Sequence, residues 1–355
     1  MTSRKDIENL RGEMAEADIE VLRALEKRAR LSKQMSKLTG GAAPSVFTDR
    51  ERTGPIEHAS SGDLPTESLR SIFRSIFAAL GSLERPTRVA FVGAEGSLGF
   101  VAARQIFGAS VQATGFESAA QALDEAARGR VDYALAPYES SLEGPLIGTI
   151  FALRQTDLVI VGQCELSAGL SLLSKTGNLA DIEKVYASAT DRVSCQKFLD
   201  SRLSRASVID VRSPSIACQF AAEDHGGAAL AHESVGDLHT LDTVLSNIGD
   251  SPDLKIRYAV IGSRPSPRTG QDITSIIFTV NDEPGALLTA LGHFSERGIN
   301  LKNVISRPVP GETWEYLFYI EVVGHVTDRA VISALDVMKK NTKFLRVLGS
   351  YPTHC

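Results

Sequence analysis

Two glycine-bearing turns are the first places in this chain where residue type and spacing could do chemistry. In one, the apolar run Phe278-Thr279-Val280 ends at Asn281-Asp282-Glu283-Pro284-Gly285-Ala286-Leu287-Leu288, where a Pro-Gly turn gives way to an amphipathic stretch. Gly285 would let backbone amides face a small ligand at the opening of a helix. The other is Gly93-Ala94-Glu95-Gly96-Ser97-Leu98-Gly99, which has the look of a phosphate cradle. It lacks the Lys-Ser/Thr of a P-loop and the glycine spacing of a dinucleotide fold, so nucleotide binding is not expected. His225, His232 and His239 recur every seven residues without acids at ligand spacing, and read as surface or satisfied core residues rather than metal ligands. Cys195 and Cys218 have no histidine in a triad-like context and read as buried apolar residues. No metal and no organic cofactor is called for.

Three kinds of segment would have to position these residues. Ile7, Leu10, Met14, Ala17, Val21, Leu22 and Leu25 fall at three-four spacing, with no break before Gly40-Gly41. A helix of about 35 residues exceeds the ordinary globular length and must bury its stripe against other helices, so an oligomeric bundle is expected. A shorter helix follows near Asp49 to His58. A second amphipathic one, carrying Leu69, Ile72, Phe73, Ile76, Phe77, Leu80 and Leu83, ends near Glu84-Arg85-Pro86. After Pro86 strands and helices alternate. Val89–Val92, Tyr133–Ala136 and Leu158–Val161 read as buried strands, a second lobe begins near Gly162, and the chain returns at Tyr258–Gly262. Ser263 to Gln271 reads as a Pro- and Ser-rich linker. The expected domains are 1–86 (helical), 87–264 (two-lobed α/β) and 272–355 (α+β).

The totals set the outer limits. At 355 residues there is room for two or three cores, and 43% hydrophobic with 23% charged residues is ordinary for a soluble globular protein. A net charge of -5 favours neither nucleic acid nor a membrane surface as partner. The N-terminal residues run straight into a charged helix without the apolar core of a signal peptide, and no apolar run reaches the roughly 20 residues of a membrane span. The four cysteines, Cys164, Cys195, Cys218 and Cys355, show no paired framework, which suits a reducing compartment. A cytoplasmic location is expected.

The strand, Pro-Gly-Ala-Leu turn, helix, Gly298-Ile299-Asn300-Leu301 and Ile305-Ser306-Arg307-Pro308 resemble an ACT domain, a ferredoxin-like module that usually senses an amino acid. They are most similar to the one that ends prephenate dehydratases. There the resemblance implies effector binding by Gly285, Ala286, Leu287, Ser306 and Arg307 at a dimer interface, with Ile305 standing where the family has glutamate. Helical, two-lobed and ACT segments in this order resemble the bifunctional P-protein over essentially the whole chain: a chorismate mutase fused to a prephenate dehydratase with a regulatory tail. Leu10-Arg11, Asp49-Arg50-Glu51, Gly93-Ala94-Glu95-Gly96-Ser97 and Asn247-Ile248-Gly249-Asp250 carry the match. The implied architecture is an all-α helical bundle, a two-lobed α/β middle like a periplasmic binding protein, and the α+β ACT tail.

For the helical segment the resemblance implies a dianion site in which cations hold two carboxylates and a strong donor meets the ether oxygen. Arg11, Arg28 and Arg50 match the family's arginines, with Arg11 reaching into the partner subunit. Glu51 matches the residue that holds a ring hydroxyl, and Glu84 stands near the ether oxygen. Thr39 occupies the position of the lysine that usually donates to that oxygen, and Val46-Phe47-Thr48 lacks a family aspartate.

For the cleft of the α/β segment the resemblance implies substrate binding by Glu95, Ser97, Glu139, Ser140, Ser141, Thr190, Ser213, Ile256 and Arg257. Several of these depart from the family. Ile256-Arg257-Tyr258 stands for Thr-Arg-Phe, and an isoleucine can neither donate nor relay the proton a departing hydroxyl needs. Pro137-Tyr138-Glu139-Ser140-Ser141 stands for Pro-Ile-Glu-Asn-Ser, Ala187-Ser188-Ala189-Thr190 for Ser-His-Pro-Gln, and Ser213-Pro214-Ser215 for Ser-Thr-Ala. Retained arginines beside lost proton-transfer groups suit a divergent shikimate-branch enzyme acting on a chorismate- or prephenate-like dicarboxylate, as mutase, dehydratase or decarboxylase, with altered specificity. The alternatives are an ordinary P-protein making phenylpyruvate and a catalytically silent, ligand-sensing scaffold. The expected partners are the small-molecule substrate, an amino-acid effector and at least one further copy of the chain.

Overall fold

The computed structural model describes residues 4–39, 49–84, 86–309 and 315–353. The chain divides into two compact units, one holding the first 87 residues together with 107–112, the other holding the remainder. In the first, the three-four apolar spacing produces α1 (Arg4–Thr39), followed by α2 (Asp49–Ala59) and α3 (Thr66–Glu84). Helix α1 packs along α3, whose Leu69 and Leu80 are buried. Much of the α1 stripe stays uncovered: Leu10, Met14, Val21 and Met35 are each more than half exposed.

The second unit opens with β1 (Arg88–Val92), α4 (Leu98–Phe107), β2 (Gln112–Phe116), α5 (Ala119–Ala127), β3 (Tyr133–Ser140), β4 (Gly144–Pro145), α6 (Ile147–Arg154) and β5 (Val159–Ser167). A second lobe follows, built from β6 (Ser171–Ser174), β7 (Lys184–Ser188), α7 (Ala189–Ser194), α8 (Gln196–Arg202), β8 (Ser207–Val211), α9 (Pro214–Glu223), β9 (Gly227–Ala231), α10 (Glu233–Gly236) and β10 (Asp242–Leu245). The chain then returns through β11 (Lys255–Gly262) to the first lobe. The first sheet runs β2-β1-β3-β11-β5 and the second β10-β6-β9-β7-β8. Two lobes were expected, but the boundary moves. Gly162 to Leu166 pair with the returning strand, Gly162 opposite Val260 and Leu166 opposite Ile256, so β5 stays in the first lobe and the second begins at β6.

The tail consists of β12 (Asp272–Thr279), α11 (Ala286–Ser295), β13 (Leu301–Pro308), β14 (Tyr316–Val323), α12 (Arg329–Met338) and β15 (Phe344–Pro352), with an antiparallel sheet in the order β13-β14-β12-β15. This is the βαββαβ order of the ACT module. Strand alternation gives its sheet two apolar faces. Ile276, Phe278, Ile320 and Val322 meet Phe294 and Met338 of the two helices. Ile273, Ile277, Tyr319, Leu348 and Tyr351 meet Tyr138, Ile160 and Ile261 of the first lobe in one continuous core. Each such side chain, fully buried, contributes about 1.5–3 kcal/mol relative to exposure, so the tail is docked rather than tethered. The Arg346 guanidinium adds to this by donating to the carbonyls of Arg154 (3.1 Å), Thr156 and Leu158 (3.4 Å) just past the end of α6. The expected linker is pinned as well. Ser266 donates its hydroxyl to the Val161 carbonyl, His325 Nε2 lies 3.2 Å from the Ser266 carbonyl, and Asp272 accepts the amides of Thr269 and Gly270, each at 2.9 Å.

Candidate active site between the lobes

Strand β11 divides the expected cleft residues into two groups. Ile256 pairs with Ser140 on β3 and Leu166 on β5, and Arg257 pairs with Glu139 and Glu165. Neighbouring residues on a strand point to opposite faces, so Ile256 and Arg257 cannot line the same wall. Arg257 faces the tail. It donates to Glu139 and, at 2.5 Å, to Gln163 Oε1, lies 3.5 Å from the carboxylate of Glu321, and stacks over Tyr138 with 5.1 Å to the ring centroid. Glu321, on β14, is 1% exposed. Asn303 donates to the other Glu139 oxygen (3.1 Å), Tyr319 donates to Glu321 (2.7 Å), and Tyr138 donates to Gln163 (2.6 Å). Burial alone would lower the Arg257 pKa, but Tyr138, Glu321 and Glu139 outweigh it and hold the guanidinium charged. Burial pushes the Tyr138, Tyr319 and Tyr351 hydroxyls up, so all three act as neutral hydrogen-bonding groups. Glu139 and Arg257 were expected to bind substrate. In this structure their charges are paired with each other and with groups of the ACT sheet.

On the other face, Ser140 is 6% exposed. Its hydroxyl accepts the amides of Leu142 (3.3 Å) and Glu143 (3.4 Å), and the Ser141 hydroxyl accepts the amide of Lys255 (3.0 Å). Ser140 therefore braces the turn after β3, and Ser141 ties that turn to the start of β11. Thr190 is exposed in the first turn of α7, which Ser188 caps by accepting the Asp191 amide at 3.1 Å. No hydrogen bond among the described residues joins Thr190 to Ile256 or Ser140.

The two lobes meet at the ends of two helices. Glu95 is exposed, but its carbonyl accepts the amide of Ser215 (3.4 Å), which sits in the first turn of α9. Gly96, at φ +80°, lies so close that a Cβ there would come within 2.5 Å of the Ser215 nitrogen. A side chain would force the lobes apart. Ser213 caps α9 by accepting the Ile216 amide (3.3 Å). Ser97, immediately before α4, carries a buried hydroxyl with no hydrogen-bond partner. A buried hydroxyl left unpaired costs roughly 1–3 kcal/mol, which a bound ligand could recover. The positive ends of α4 and α9 converge beside it, an arrangement suited to an anion. A nearby open hollow of about 680 Å³ is lined by Gly93, Ala94 and Phe116 but also by Glu117, Asp124 and Glu125, which would repel a dianion.

Residues 89–266 match the prephenate dehydratase family model, and residues 274–338 match the ACT domain model. The bifunctional chorismate mutase/prephenate dehydratase of Aquifex aeolicus is 35% identical over 355 residues, covering 98% of each chain. This chain belongs to the bifunctional chorismate mutase/prephenate dehydratase family. The Pseudomonas aeruginosa enzyme of the same name is 30% identical, covering 99% of each chain. Among solved structures, the prephenate dehydratase of Arthrobacter aurescens in complex with L-Phe is similar at 27% identity and a TM-score of 0.63, over 75% of this chain and 90% of that one.

Within the family frame, the remaining expected residues fall as follows. Arg11 and Arg28 are exposed on α1, and Arg28 donates to Ser32 at 2.6 Å. The side chains of Thr39, Arg50, Glu51 and Glu84 lie outside the described residues. Gly285 adopts φ +84° at the start of α11, with Ala286 and Leu287 half-buried. Ser306 and Arg307 are exposed on β13, which pairs only with β14, and Ile305 beside them is half-buried. Cys195 and Cys218 are fully buried, and burial pushes both thiols up to about 12, which leaves them unreactive. Among the described residues no cluster of His, Cys, Asp or Glu could hold a metal, and no helix is long and apolar enough to cross a membrane. Sequence reasoning missed His239, whose Nε2 lies 3.3 Å from the Ser215 hydroxyl. The available signal was Ser215 itself, which stands where the family motif has alanine.

Proposed function

We propose that this chain is a lyase of the prephenate dehydratase class whose interlobe cleft takes a prephenate-like ring dicarboxylate with altered specificity. The observation that carries the reading is the unpartnered Ser97 hydroxyl where the first turns of α4 and α9 converge. In this reading one carboxylate is held by the Ser97 hydroxyl and the amides at these helix ends, while Ile256 and the occupied Ser140 hydroxyl leave the β3 and β11 side of the cleft without a proton donor. The test is to incubate the protein separately with chorismate, prephenate, isochorismate and 4-amino-4-deoxychorismate and follow each by mass spectrometry. Conversion of a member other than prephenate, with prephenate slow, is the expected result. Fast conversion of prephenate to phenylpyruvate would restore the ordinary P-protein, and no conversion of any member would leave the silent scaffold.

The helical unit is proposed as a mutase-type site completed by a second copy. Arg11 and Arg28 lie about 25 Å apart along α1 at 1.5 Å per residue, too far to hold one small dianion within a single chain. The exposed stripe containing Leu10, Met14 and Val21 is the surface a second α1 would cover. Sedimentation at micromolar concentration should give at least a dimer, and a monomer would reject this. For the ACT tail, the Arthrobacter protein holds L-Phe. Here Ile305 offers no carboxylate to an α-amino group, so regulation by phenylalanine should be weak or absent. Micromolar phenylalanine binding by calorimetry, abolished by Gly285→Pro, would contradict that.

A further inference from the structure

The lyase reading leaves one chemical step without a group to perform it, since no proton source stands at Ile256. We infer that Ser215 and His239, on the second-lobe wall of the cleft, form the relay that protonates the leaving group. This inference rests on the lyase reading and names the groups that serve it.

The placement is set by three features. Ser215 is the residue through which the second lobe touches the first: its amide donates to Glu95, and its Cβ lies 3.1 Å from where a Cβ on Gly96 would be. These contacts put Ser215 at the inter-lobe seam, against the Glu95-Gly96 turn of the first lobe. Behind it His239 Nε2 stands at 3.3 Å, and both side chains are half-buried, neither sealed in the core nor free in solvent. His239 is held by an unusual backbone. The next residue, Thr240, has φ 57° and ψ 43°, a left-handed conformation in which a β-branched residue is a genuine outlier. Such strain of order 1–3 kcal/mol persists where the surroundings over-determine it, often at functional sites.

The chemistry balances with these two groups alone. As the ring carboxylate leaves as carbon dioxide, the electron pair of its C–C bond enters the ring and the C–O bond to the ring hydroxyl breaks. The departing oxygen takes the Ser215 hydroxyl proton, and Ser215 takes the Nε2 proton of the His239 imidazolium. Water, carbon dioxide and the aromatic product leave, and neutral His239 regains its proton from solvent. Histidine is the side chain suited to this exchange near neutral pH. In this relay Ser215 is the catalytic residue, since its hydroxyl would meet the departing oxygen. His239 acts through it as the positioning residue that holds and reloads the hydroxyl.

The test uses the full chain at high enzyme concentration, with prephenate, turned over slowly in this reading, as the turnover probe and phenylpyruvate as a binding probe. Ser215→Ala and His239→Gln should each lower kcat by about 10²- to 10⁴-fold, with KM changing far less. Glutamine can keep the hydrogen bond to Ser215 but cannot supply a proton, so a purely structural role for His239 predicts rescue by His239→Gln over His239→Ala. The second readout is the His239 ring-proton NMR resonance, assigned by its loss in His239→Gln, which saturating phenylpyruvate should displace. Unchanged kcat in Ser215→Ala, or rescue by His239→Gln, overturns the relay while leaving the lyase reading intact. An unmoved His239 resonance overturns the relay whatever the turnover. Absence of all turnover by wild type, with the resonance still displaced, would reject the lyase reading and the proton transfer together.

Discussion

Removing Arg257 should destabilise the larger unit far more than its position at the edge of a cleft would suggest. The side chain is 22% exposed, Glu321 only 2%, and the pair is separated by 3.5 Å. Truncation strands Glu321 with the Tyr319 hydroxyl as its remaining described hydrogen bond, and breaking a buried pair from one side costs about 3–5 kcal/mol. Partial exposure of the guanidinium moves the expectation to the lower end, about 3 kcal/mol for Arg257→Ala. Glu321→Gln is gentler, because Arg257 keeps Glu139 and Gln163, and about 1–2 kcal/mol is expected. The double change Arg257→Ala with Glu321→Gln leaves Glu139 beside Asn303 as the only carboxylate of the set, and should cost less than the sum of the single changes. Urea denaturation followed by circular dichroism supplies the cycle from shifts in midpoint at constant slope. Single changes that each cost under 1 kcal/mol and add independently would refute the claim that this network anchors the tail. A large selective rise in KM for prephenate without loss of stability would return Arg257 to substrate binding.

Ile256→Thr alone should not raise phenylpyruvate formation from prephenate, because the neighbouring Ser140 hydroxyl already accepts two turn amides and catalytic groups act as a unit; rescue by this single substitution, without Ser140→Asn and Thr190→Gln, would show that the rest of the cleft is an ordinary dehydratase. Asp191 has its carboxyl pushed up by burial against the lowering effect of the Ser188 hydroxyl. The unfolded chain then ionises more readily than the folded one, so stability falls as pH rises through the folded value. Asp191→Asn should raise the melting temperature at pH 8 and give no gain at pH 3, and a gain of equal size at both would refute the assignment. Arg346→Ala should lower the denaturation midpoint of the larger unit by releasing three carbonyls past α6, and an unchanged midpoint would mean that the apolar core alone docks the tail.

The element order was legible because periodicity reports it directly. The stripe from Ile7 to Leu25 gave α1, and the apolar runs Val89–Val92 and Tyr133–Ala136 gave β1 and β3. The lobe boundary was misplaced because Gly162 looks like a turn, whereas its backbone pairs with Val260 across a strand some hundred residues later, a register no local pattern announces. The stretch from Ser263 to Gln271 was legible as a linker without regular structure, but not as a pinned one. Pro and Ser indicate the absence of regular structure, but they do not indicate whether a chain is pinned, and here His325 and Asp272 do the pinning from the tail. At the site, the motif pointed to the right strands but not to the faces. Ser215 and His239 come from α9 and the turn before β10, and only the closure of the second lobe brings them together.

The two adjacent positions Ile256 and Arg257 show why a recognisable motif can mislead about chemistry. A strand crossing between two layers must serve both, since its alternate side chains face different neighbours. Arg257 pairs with the buried Glu321 of the docked module while Glu139 and Gln163 accept its other donors, so packing against the tail already gives these residues a role. Ile256, on the opposite face of the strand, takes no part in that network. The charged residues most suggestive of a dicarboxylate site are therefore the weaker evidence. The stronger evidence is the set at the seam, Ser97 without a partner and Ser215 backed by His239, because no hydrogen bond among the described residues accounts for the Ser97 hydroxyl there.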